Sequence, residues 1–241
     1  MGYSIKRLRK PCSVKGDHDG AGAEWDLAGL LHSVDPYVGF DFNQYPRDLS
    51  GWGSDSQAFD ELISLLPSPT LIVEVGTWKG ASAIEMAKAL DRHHQAKKAQ
   101  ILCIDTWLGA LEFWTNHDDA ERYGSLKLNH GYPTVYYQFL ANVCHAGFQD
   151  VVIPFPQTST IAAQFLRTHA IQADLIYIDG SHEEEDVYQD LQDYWPILKP
   201  SGTVFGDDYS WDGVRLAVER FAKEAKKTVK FSHDKWLIQN K

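Results

Sequence analysis

Cysteine is scarce in this chain, with three residues among 241: Cys12, Cys103 and Cys144. The number is odd and the residues lie far apart along the sequence. This fits neither a disulfide framework nor the short, fixed ligand spacing of a zinc site. We therefore expect reduced, buried thiols and a cytoplasmic protein.

Basic residues and long apolar runs are also few. Lys and Arg number 23 against 33 Asp and Glu, so the formal net charge is -10. Apart from the KRLRK of residues 6–10, nothing in the chain resembles the basic patch that binds nucleic acid. No apolar run reaches the roughly 18 residues of a membrane span, and no apolar segment follows the basic N-terminal residues, as a secretory signal would require. We expect neither a nucleic-acid nor a membrane partner.

Apolar runs and helical patterns alternate regularly from Ser56 onward. Five runs have the length and composition of buried strands, at residues 71–75, 101–105, 151–155, 174–179 and 203–207. A helical pattern follows each run, which predicts a doubly wound α/β fold with a parallel sheet covered on both faces. The final KTVKFSHDKWLIQN predicts a hairpin that adds an antiparallel edge, for a mostly parallel sheet of seven strands.

Two segments fall outside this alternation. Residues 1–50 are rich in Gly, Asp, Pro and aromatic residues and show weak periodicity. We predict an irregular N-terminal arm there, with one short helix at residues 25–32, as a core-packing segment and a candidate cover for a site. Residues 51–241 would form the main domain, in which the long, mixed stretch 107–133 is typical of a lid or binding insert.

A glycine turn follows the first predicted strand, in the sequence EVGTWKGAS of residues 74–82. Gly76 allows a sharp turn and the close approach of a ligand. Gly80 precedes a helix whose free N–H groups attract an anion. The second strand ends in Asp105, where a carboxylate can accept both hydroxyls of a ribose. Together these features predict a nucleoside-type cofactor.

Two departures from the dinucleotide fingerprint G-x-G-x-x-G narrow that choice. Trp78 stands where the second glycine should be and would crowd a pyrophosphate, and the acid Glu74 would repel phosphate. Both favour a cofactor with a ribose and an amino-acid end but no phosphate, which describes S-adenosylmethionine. A nicotinamide dinucleotide and a strand–helix turn without any ligand remain the alternatives.

The fourth and fifth predicted strands both end in acid, at Asp179 and at Asp207 and Asp208. Because the tips of neighbouring strands lie about 5 Å apart, three ionised carboxylates there would repel one another unless a cation joined them. Oxygen ligands without cysteine suit Mg²⁺ first and Mn²⁺ or Ca²⁺ next. We therefore predict a metal site formed by these three residues.

His182 lies three residues after Asp179. The neighbouring Ser181 and Glu184 have the spacing of a capping box, which accounts for most of the SHEEED stretch as a helix start. A histidine contributes nothing to a helix start. It titrates near neutrality and can take a proton from a polarised hydroxyl, so we predict that His182 is the general base.

Two motifs resemble a known enzyme family. EVGTWKGAS is similar to the first motif of class I S-adenosylmethionine-dependent methyltransferases, and within them to the catechol-type, cation-dependent O-methyltransferases. The stretch DLIYIDGSHEEEDVYQDLQDYWPILKPSGTVFGDDY of residues 174–209 resembles the branch that includes macrolide-sugar and aminocoumarin-sugar O-methyltransferases. The resemblance covers residues 56–241. It implies a Rossmann-like fold, S-adenosylmethionine as methyl donor and a divalent cation.

The resemblance also implies roles for individual residues. Seven would contact the cofactor: Glu74, Gly76, Thr77 and Gly80 at its methionine end, Ser82 at its carboxylate, Asp105 at its ribose and Ser159 at its adenine. The cation would be held by Asp179, Asp207 and Asp208. Catalysis would rest on His182, Asp179 and Asp207.

The sequence thus predicts a divalent-cation-dependent O-methyltransferase acting on a hydroxyl of a small molecule, of sugar or polyol type. A catechol-type enzyme acting on a phenol is one alternative; the catechol branch usually has Asn where Asp208 stands, which argues against it. A scaffold that binds S-adenosylmethionine without catalysis is another, although a scaffold would not need the acidic triad. Relatives with such N-terminal arms often pair through them, so a homo-oligomer is a further, open expectation.

Overall fold

The computed structural model describes residues 27–51, 56–94, 99–232 and 234–240. Its centre is a seven-stranded sheet in the order β3-β2-β1-β4-β5-β7-β6. The strands are β1 Leu71–Val75, β2 Gln100–Asp105, β3 Val152–Pro156, β4 Ala173–Ile178, β5 Leu198–Gly206, β6 Val229–Ser232 and β7 Lys235–Gln239. The first five pair in parallel, and β7 pairs antiparallel with both β5 and β6. The predicted doubly wound, Rossmann-like sheet with its C-terminal hairpin is confirmed.

Eight helices connect these strands or flank them in the described part of the chain: α1 Leu27–Leu31, α2 Ser56–Ser64, α3 Ala81–His94, α4 Leu111–Thr115, α5 Val135–Ala146, α6 Ser159–Thr168, α7 Glu184–Tyr194 and α8 Asp212–Ala225. Short 3-10 turns occur at Phe42–Gln44, Tyr123–Leu126 and Trp195–Ile197. No helix among the described residues combines the length and the apolar character needed to cross a membrane.

The strands are apolar along their whole length because helices cover both faces of the sheet. All five residues of β1 are buried, as expected for a central parallel strand with helices on either side. Alternate residues serve two separate cores. Val73 and Ile176 pack on the side of α6, α7 and α8, while Ile72 and Leu175 pack on the side of α2, α3 and α5.

The order of the strands fixes the place of the site. β1 pairs with β2 on one side and with β4 on the other. The strand order therefore reverses at β1, and the carboxyl ends of the strands border a crevice at such a point. The glycine turn after β1 and the acids after β4 and β5 therefore open on one crevice.

The boundary between α7 and β5 differs from the sequence-based expectation. The pattern of EEEDVYQDLQDYWPIL predicts one helix over residues 183–198, before the strand predicted from residue 203. The helix ends at Tyr194, a 3-10 turn follows at Trp195–Ile197, and β5 begins at Leu198. Pro196 explains the change, because its ring clashes with the preceding turn and it has no N–H to continue the α-helical pattern.

The described part of the N-terminal arm, residues 27–50, contacts the edge strand β3 through two side chains. His32 Nε2 lies 2.8 Å from the Pro154 carbonyl oxygen, and the Tyr37 hydroxyl donates to the Val152 carbonyl oxygen at 2.9 Å. The expected helix at residues 25–32 is represented by α1. Its start, the KRLRK stretch and Cys12 lie outside the described residues.

The insert, residues 107–133, contains more regular structure than an open loop. It holds α4 and the 3-10 turn Tyr123–Leu126. Trp107 anchors its start, being 2% exposed and donating from Nε1 to the Trp78 carbonyl oxygen at 2.7 Å. The insert is thus fastened to the glycine turn.

Candidate active site

A cavity of about 1000 Å³ opens at the carboxyl ends of the strands. Most of the residues predicted for cofactor, cation and catalysis line it: Gly76, Thr77, Ser82, Asp105, Ser159, Asp179, His182, Asp207 and Asp208. Glu74 and Gly80 do not belong to this lining within the described residues. The structure therefore places these two in a supporting position behind the cavity wall.

Gly76 allows the tips of β1 and β4 to touch. Its φ is +82°, and a Cβ atom on it would lie 2.3 Å from the Asp179 carbonyl oxygen. No side chain fits at that distance, and the backbone conformation is one that L residues avoid. Gly76 thus brings the glycine turn into contact with Asp179, the first of the predicted acidic residues.

The buried side chain of Glu74 stabilises the glycine turn. Its carboxylate is fully buried and accepts hydrogen bonds from the Thr77 hydroxyl at 2.5 Å and from the Ser82 hydroxyl. Burial raises the pKa of Glu74 to about 7, against the lowering effect of these hydrogen bonds. Its side chain therefore orders the turn, and the predicted contact of Glu74 with the methionine end of a cofactor stays a prediction.

Asp105 joins the tips of β1 and β2. Oδ2 accepts the backbone N–H groups of Thr77 at 3.0 Å and Trp78 at 2.8 Å, and Oδ1 accepts that of Trp107 at 2.7 Å. The carboxylate is therefore fixed in the cavity wall at the β2 tip. Oδ1 retains capacity for a further donor.

The three predicted metal ligands have different partners in the cavity. Asp179 accepts the Tyr177 hydroxyl at 2.9 Å, while Asp207 forms an ion pair with Lys235. Burial, and to a smaller extent the neighbouring carboxylates of Asp207 and Asp208, raise the pKa of Asp179 to about 8 against the Tyr177 hydrogen bond. The smaller contribution is the mutual repulsion expected of clustered acids.

The acids that come close enough to share one ion include one from the C-terminal hairpin. Carboxylate oxygens of Asp207, Asp208 and Asp234 lie within 4.8 Å of one another, whereas the predicted set of Asp179, Asp207 and Asp208 does not reach this spacing among the described residues. Asp234 also accepts the backbone N–H of Ser210 at 2.7 Å. Sequence reasoning missed Asp234 and Lys235, although pairing the predicted hairpin with β5 would have placed both beside Asp207.

The donor set suits a hard divalent cation. It consists of carboxylate oxygens without sulfur, which are the ligands that Mg²⁺, Mn²⁺ and Ca²⁺ prefer. Asp179, Asp207, Asp208 and Asp234 line the same cavity. The Lys235 ammonium group neutralises part of their charge through Asp207. The residues present therefore fit a cation at this position.

His182 is held on three sides. Its Nε2 lies 2.9 Å from Asp208 Oδ2, and its ring stacks on Trp211 with centroids 4.7 Å apart. Gly213 at the start of α8 packs against the His182 carbonyl oxygen so closely that an added Cβ would lie 2.2 Å from it. The hydrogen bond with Asp208 raises the pKa of His182 above its ordinary value, against the opposing effect of burial.

The predicted adenine residue Ser159 begins α6 at the tip of β3. Its hydroxyl donates to Asp190 of α7, and its carbonyl oxygen accepts the Tyr194 hydroxyl at 3.0 Å. Asp190 is 8% exposed and lines the cavity. Burial raises the pKa of Asp190 to about 6, against the Ser159 hydrogen bond. Sequence reasoning missed this carboxylate because it lies within a helix, away from any strand tip.

Lys79 connects the glycine turn to the N-terminal arm. Its side chain is 3% exposed and its Nζ lies 2.8 Å from both Asp48 Oδ2 and Ser50 Oγ. Lys127 of the insert reaches the same Asp48 oxygen at 3.2 Å. Asp48 therefore ties the arm, the glycine turn and the insert together at the cavity entrance, where Leu49 and Ser50 are part of the lining.

Comparison with known proteins places these features in context. Residues 73–209 match the family model described as a methyltransferase domain. This match confirms the methyltransferase resemblance stated from residues 74–82 and 174–209. No curated protein matches the chain with significance.

Three solved structures illustrate the similarity in fold. The O-methyltransferase NovP has 16% identity and a TM-score of 0.57, over 76% of this chain and 78% of that one. The calicheamicin methyltransferase CalS11 has 18% identity and a TM-score of 0.57, over 77% and 78%. The O-methyltransferase TomG from Streptomyces achromogenes, in complex with SAM, has 14% identity and a TM-score of 0.54, over 88% and 97%. At these identities the likeness supports the fold alone.

Proposed function

The chain belongs to the family of methyltransferase domains, and we propose that it transfers the methyl group of S-adenosylmethionine to a hydroxyl of a small molecule. The observation that carries the proposal is one continuous cavity, which runs from the glycine turn past Asp105 to His182 and the acidic group. A donor bound along the strand tips would point its sulfonium towards the acids and the histidine.

The cofactor would lie across three successive strand tips. The N–H groups at the start of α3 would face its amino-acid end, beside Thr77 and Ser82, since helix N-termini attract carboxylates. Asp105 at the β2 tip would face the ribose, and Ser159 at the β3 tip would face the adenine. The wall that these residues form supports this order.

His182 would act as the general base. When its Nε2–H donates to Asp208, the lone pair of Nδ1 is free to accept a proton. The acceptor hydroxyl would give its proton to His182 as its oxygen bonds to the methyl carbon and the carbon–sulfur bond breaks. S-adenosylhomocysteine would be the second product. Stacking on Trp211 would hold the imidazole ring in line.

Asp179, Asp207 and Asp208 would hold a divalent cation, with Asp234 close by. When bound, the cation would supply positive charge that lowers the pKa of the acceptor hydroxyl. The carboxylates themselves orient His182 and Lys235, since Asp208 bonds the histidine and Asp207 the lysine.

The acceptor would be a sugar or polyol part of a natural product. Polar side chains line the far side of the cavity, among them Glu112 and Arg122 of the insert, and such groups suit several hydroxyls. A structural neighbour is described as a TDP-rhamnose 3'-O-methyltransferase. A phenolic acceptor is the second candidate, favoured by the Trp78 and Phe113 rings, which lie 4.8 Å apart in the cavity wall.

Calorimetry and acceptor screening test the proposal. We expect the full chain to bind S-adenosylmethionine and to methylate hydroxylated acceptors with Mg²⁺, and to lose turnover with EDTA. Asp207→Asn should lose turnover while cofactor binding persists. Asp212→Asn is the matched control, because this nearby side chain is 83% exposed. Absence of cofactor binding would overturn the function, and full activity under complete chelation would overturn the cation.

A further inference from the structure

One end of the cavity is formed by the turn between β3 and α6 and by one face of α7. We call it the base end, because the adenine base of the cofactor would bind there. Its lining includes Gln157, Thr158, Ser159 and Thr160 from the turn and Gln189 and Asp190 from the helix. This is the end away from the acidic group. With the ribose at the β2 tip, the base of a bound nucleoside lies here.

Asp190 is the buried acid of this region. It is 8% exposed, and Oδ1 accepts the Ser159 hydroxyl. Within the described residues Oδ2 accepts no hydrogen bond, and no fully enclosed side-chain oxygen there lacks a partner. Oδ2 is therefore accessible from the cavity that Asp190 lines. It is an acceptor in a fixed position, and no donor among the described residues bonds to it.

We propose that Asp190 Oδ2 accepts a hydrogen bond from the exocyclic amino group of the cofactor's adenine and makes the site selective for adenine over hypoxanthine. The inference rests on the proposed function and adds a specificity residue to it. An ionised carboxylate only accepts hydrogen bonds, and the adenine amino group only donates them. Hypoxanthine carries an oxygen at that position, which would face Asp190 acceptor to acceptor.

Two acceptors in the turn at this end already accept hydrogen bonds. The Gln157 side-chain oxygen accepts the backbone N–H of Thr158 at 2.8 Å, and the Thr158 hydroxyl accepts that of Ile161 at 3.4 Å. Asp186, the other acid of α7 in the lining, accepts the Ser181 hydroxyl at 2.9 Å and is exposed. Asp190 is thus the acceptor at this end that combines burial, a fixed position and an open oxygen.

A purely structural role for Asp190 would give a different result. Through Ser159 it ties α6 to α7, as Asp193 does through Arg167 at 3.1 Å. Asp193 is 9% exposed on the same helix but does not belong to the cavity lining. Asp193→Ala is therefore the matched control for loss of a helix-to-helix contact.

The experiment measures calorimetric Kd values of S-adenosylhomocysteine and S-inosylhomocysteine at pH 8. We expect the wild-type chain to prefer the adenosyl ligand by at least about tenfold, as for a hydrogen bond to a charged group. In Asp190→Ala the preference should fall to within about threefold, mainly because the adenosyl ligand binds more weakly. In Asp193→Ala the preference should persist.

Each other outcome has a distinct meaning. Equal weakening of both ligands in Asp190→Ala would overturn the recognition role and leave the proposed function standing. Should Asp190→Ala not fold, Asp190→Asn keeps the size of the side chain and the Ser159 contact. Its amide can donate to the hypoxanthine oxygen, so the preference should narrow, and an unchanged preference would overturn the proposal. Binding of neither ligand by the wild type would overturn the proposed function and this inference with it.

Discussion

The Lys79 ammonium nitrogen lies 2.8 Å from Asp48 Oδ2, which makes a buried lysine of the glycine turn depend on an aspartate of the N-terminal arm. Burial would raise the pKa of Asp48, yet the hydrogen bonds from Lys79 and Ser50 outweigh it and hold that pKa well below its usual range. Lys79 has 3% side-chain exposure, whereas Asp48 has 26%. Loss of Asp48 would leave Lys79 buried without its charge partner.

We therefore expect Asp48→Ala to lower the free energy of unfolding by about 2 kcal/mol, less than for a fully buried pair because water reaches Asp48. Combining it with Lys79→Met should cost less than the sum of the two single changes. Glu85→Gln, which breaks the exposed Lys88–Glu85 pair, is the control and should cost under about 1 kcal/mol. Urea unfolding measures all four variants, and additive costs would contradict the coupling.

Gly76→Ala tests the close contact between the β1 and β4 tips. The new methyl group would meet the Asp179 backbone in a left-handed conformation, so we expect a loss of at least about 2 kcal/mol of stability. Gly147→Ala is the matched control, because Gly147 has φ +77° with nothing within 4 Å of an added Cβ. It should lose only the cost of the left-handed conformation, about 1 kcal/mol. Equal losses in thermal unfolding would contradict the contact.

The sequence predicted the sheet and the strand-tip acids because both follow from local patterns. Buried parallel strands are continuous apolar runs, and Asp105, Asp179 and Asp207 directly follow or end such runs. Parallel pairing then brings their tips to one edge. No knowledge of packing was needed for these residues.

The remaining site residues depend on contacts that local patterns do not encode. Asp234 and Lys235 reach the site only through the register that pairs Gly206 with Trp236. Asp190 faces the cavity only because α7 packs beside α6 at the Ser159 contact. The supporting role of Glu74 likewise depends on packing, because its buried carboxylate orders the glycine turn through hydrogen bonds from Thr77 and Ser82.

His182→Ala tests the proposed general base. We expect kcat to fall by at least about 100-fold, as for loss of a positioned base, while the Kd of S-adenosylhomocysteine stays within about twofold. The reason is that His182 lies beside Asp208 and Trp211, away from the end of the cavity where the adenine of the ligand would bind. His169→Ala, at an exposed position after α6, serves as the control. Turnover equal to that of the wild type in His182→Ala would exclude the role.

Asp190→Asn should change how stability depends on pH. Burial raises the pKa of Asp190 to about 6 in the folded chain, with Asp193 and Asp186 adding to the effect against the Ser159 hydrogen bond. The folded state therefore holds this proton to higher pH than the unfolded state, whose carboxyl titrates near its ordinary value of about 3.9. Stability contributed by the protonated carboxyl is present below that value and is lost as the pH rises through 6.

The asparagine has no proton to lose, so the variant should gain stability relative to the wild type between pH 4 and about pH 7. The gain should reach on the order of 3 kcal/mol, since each unit of pKa shift corresponds to about 1.4 kcal/mol. Urea unfolding of both proteins at steps of half a pH unit measures the difference, in which the shared titrations of Glu74 and Asp179 cancel. A constant difference across this range would show that Asp190 does not hold its proton in the folded chain.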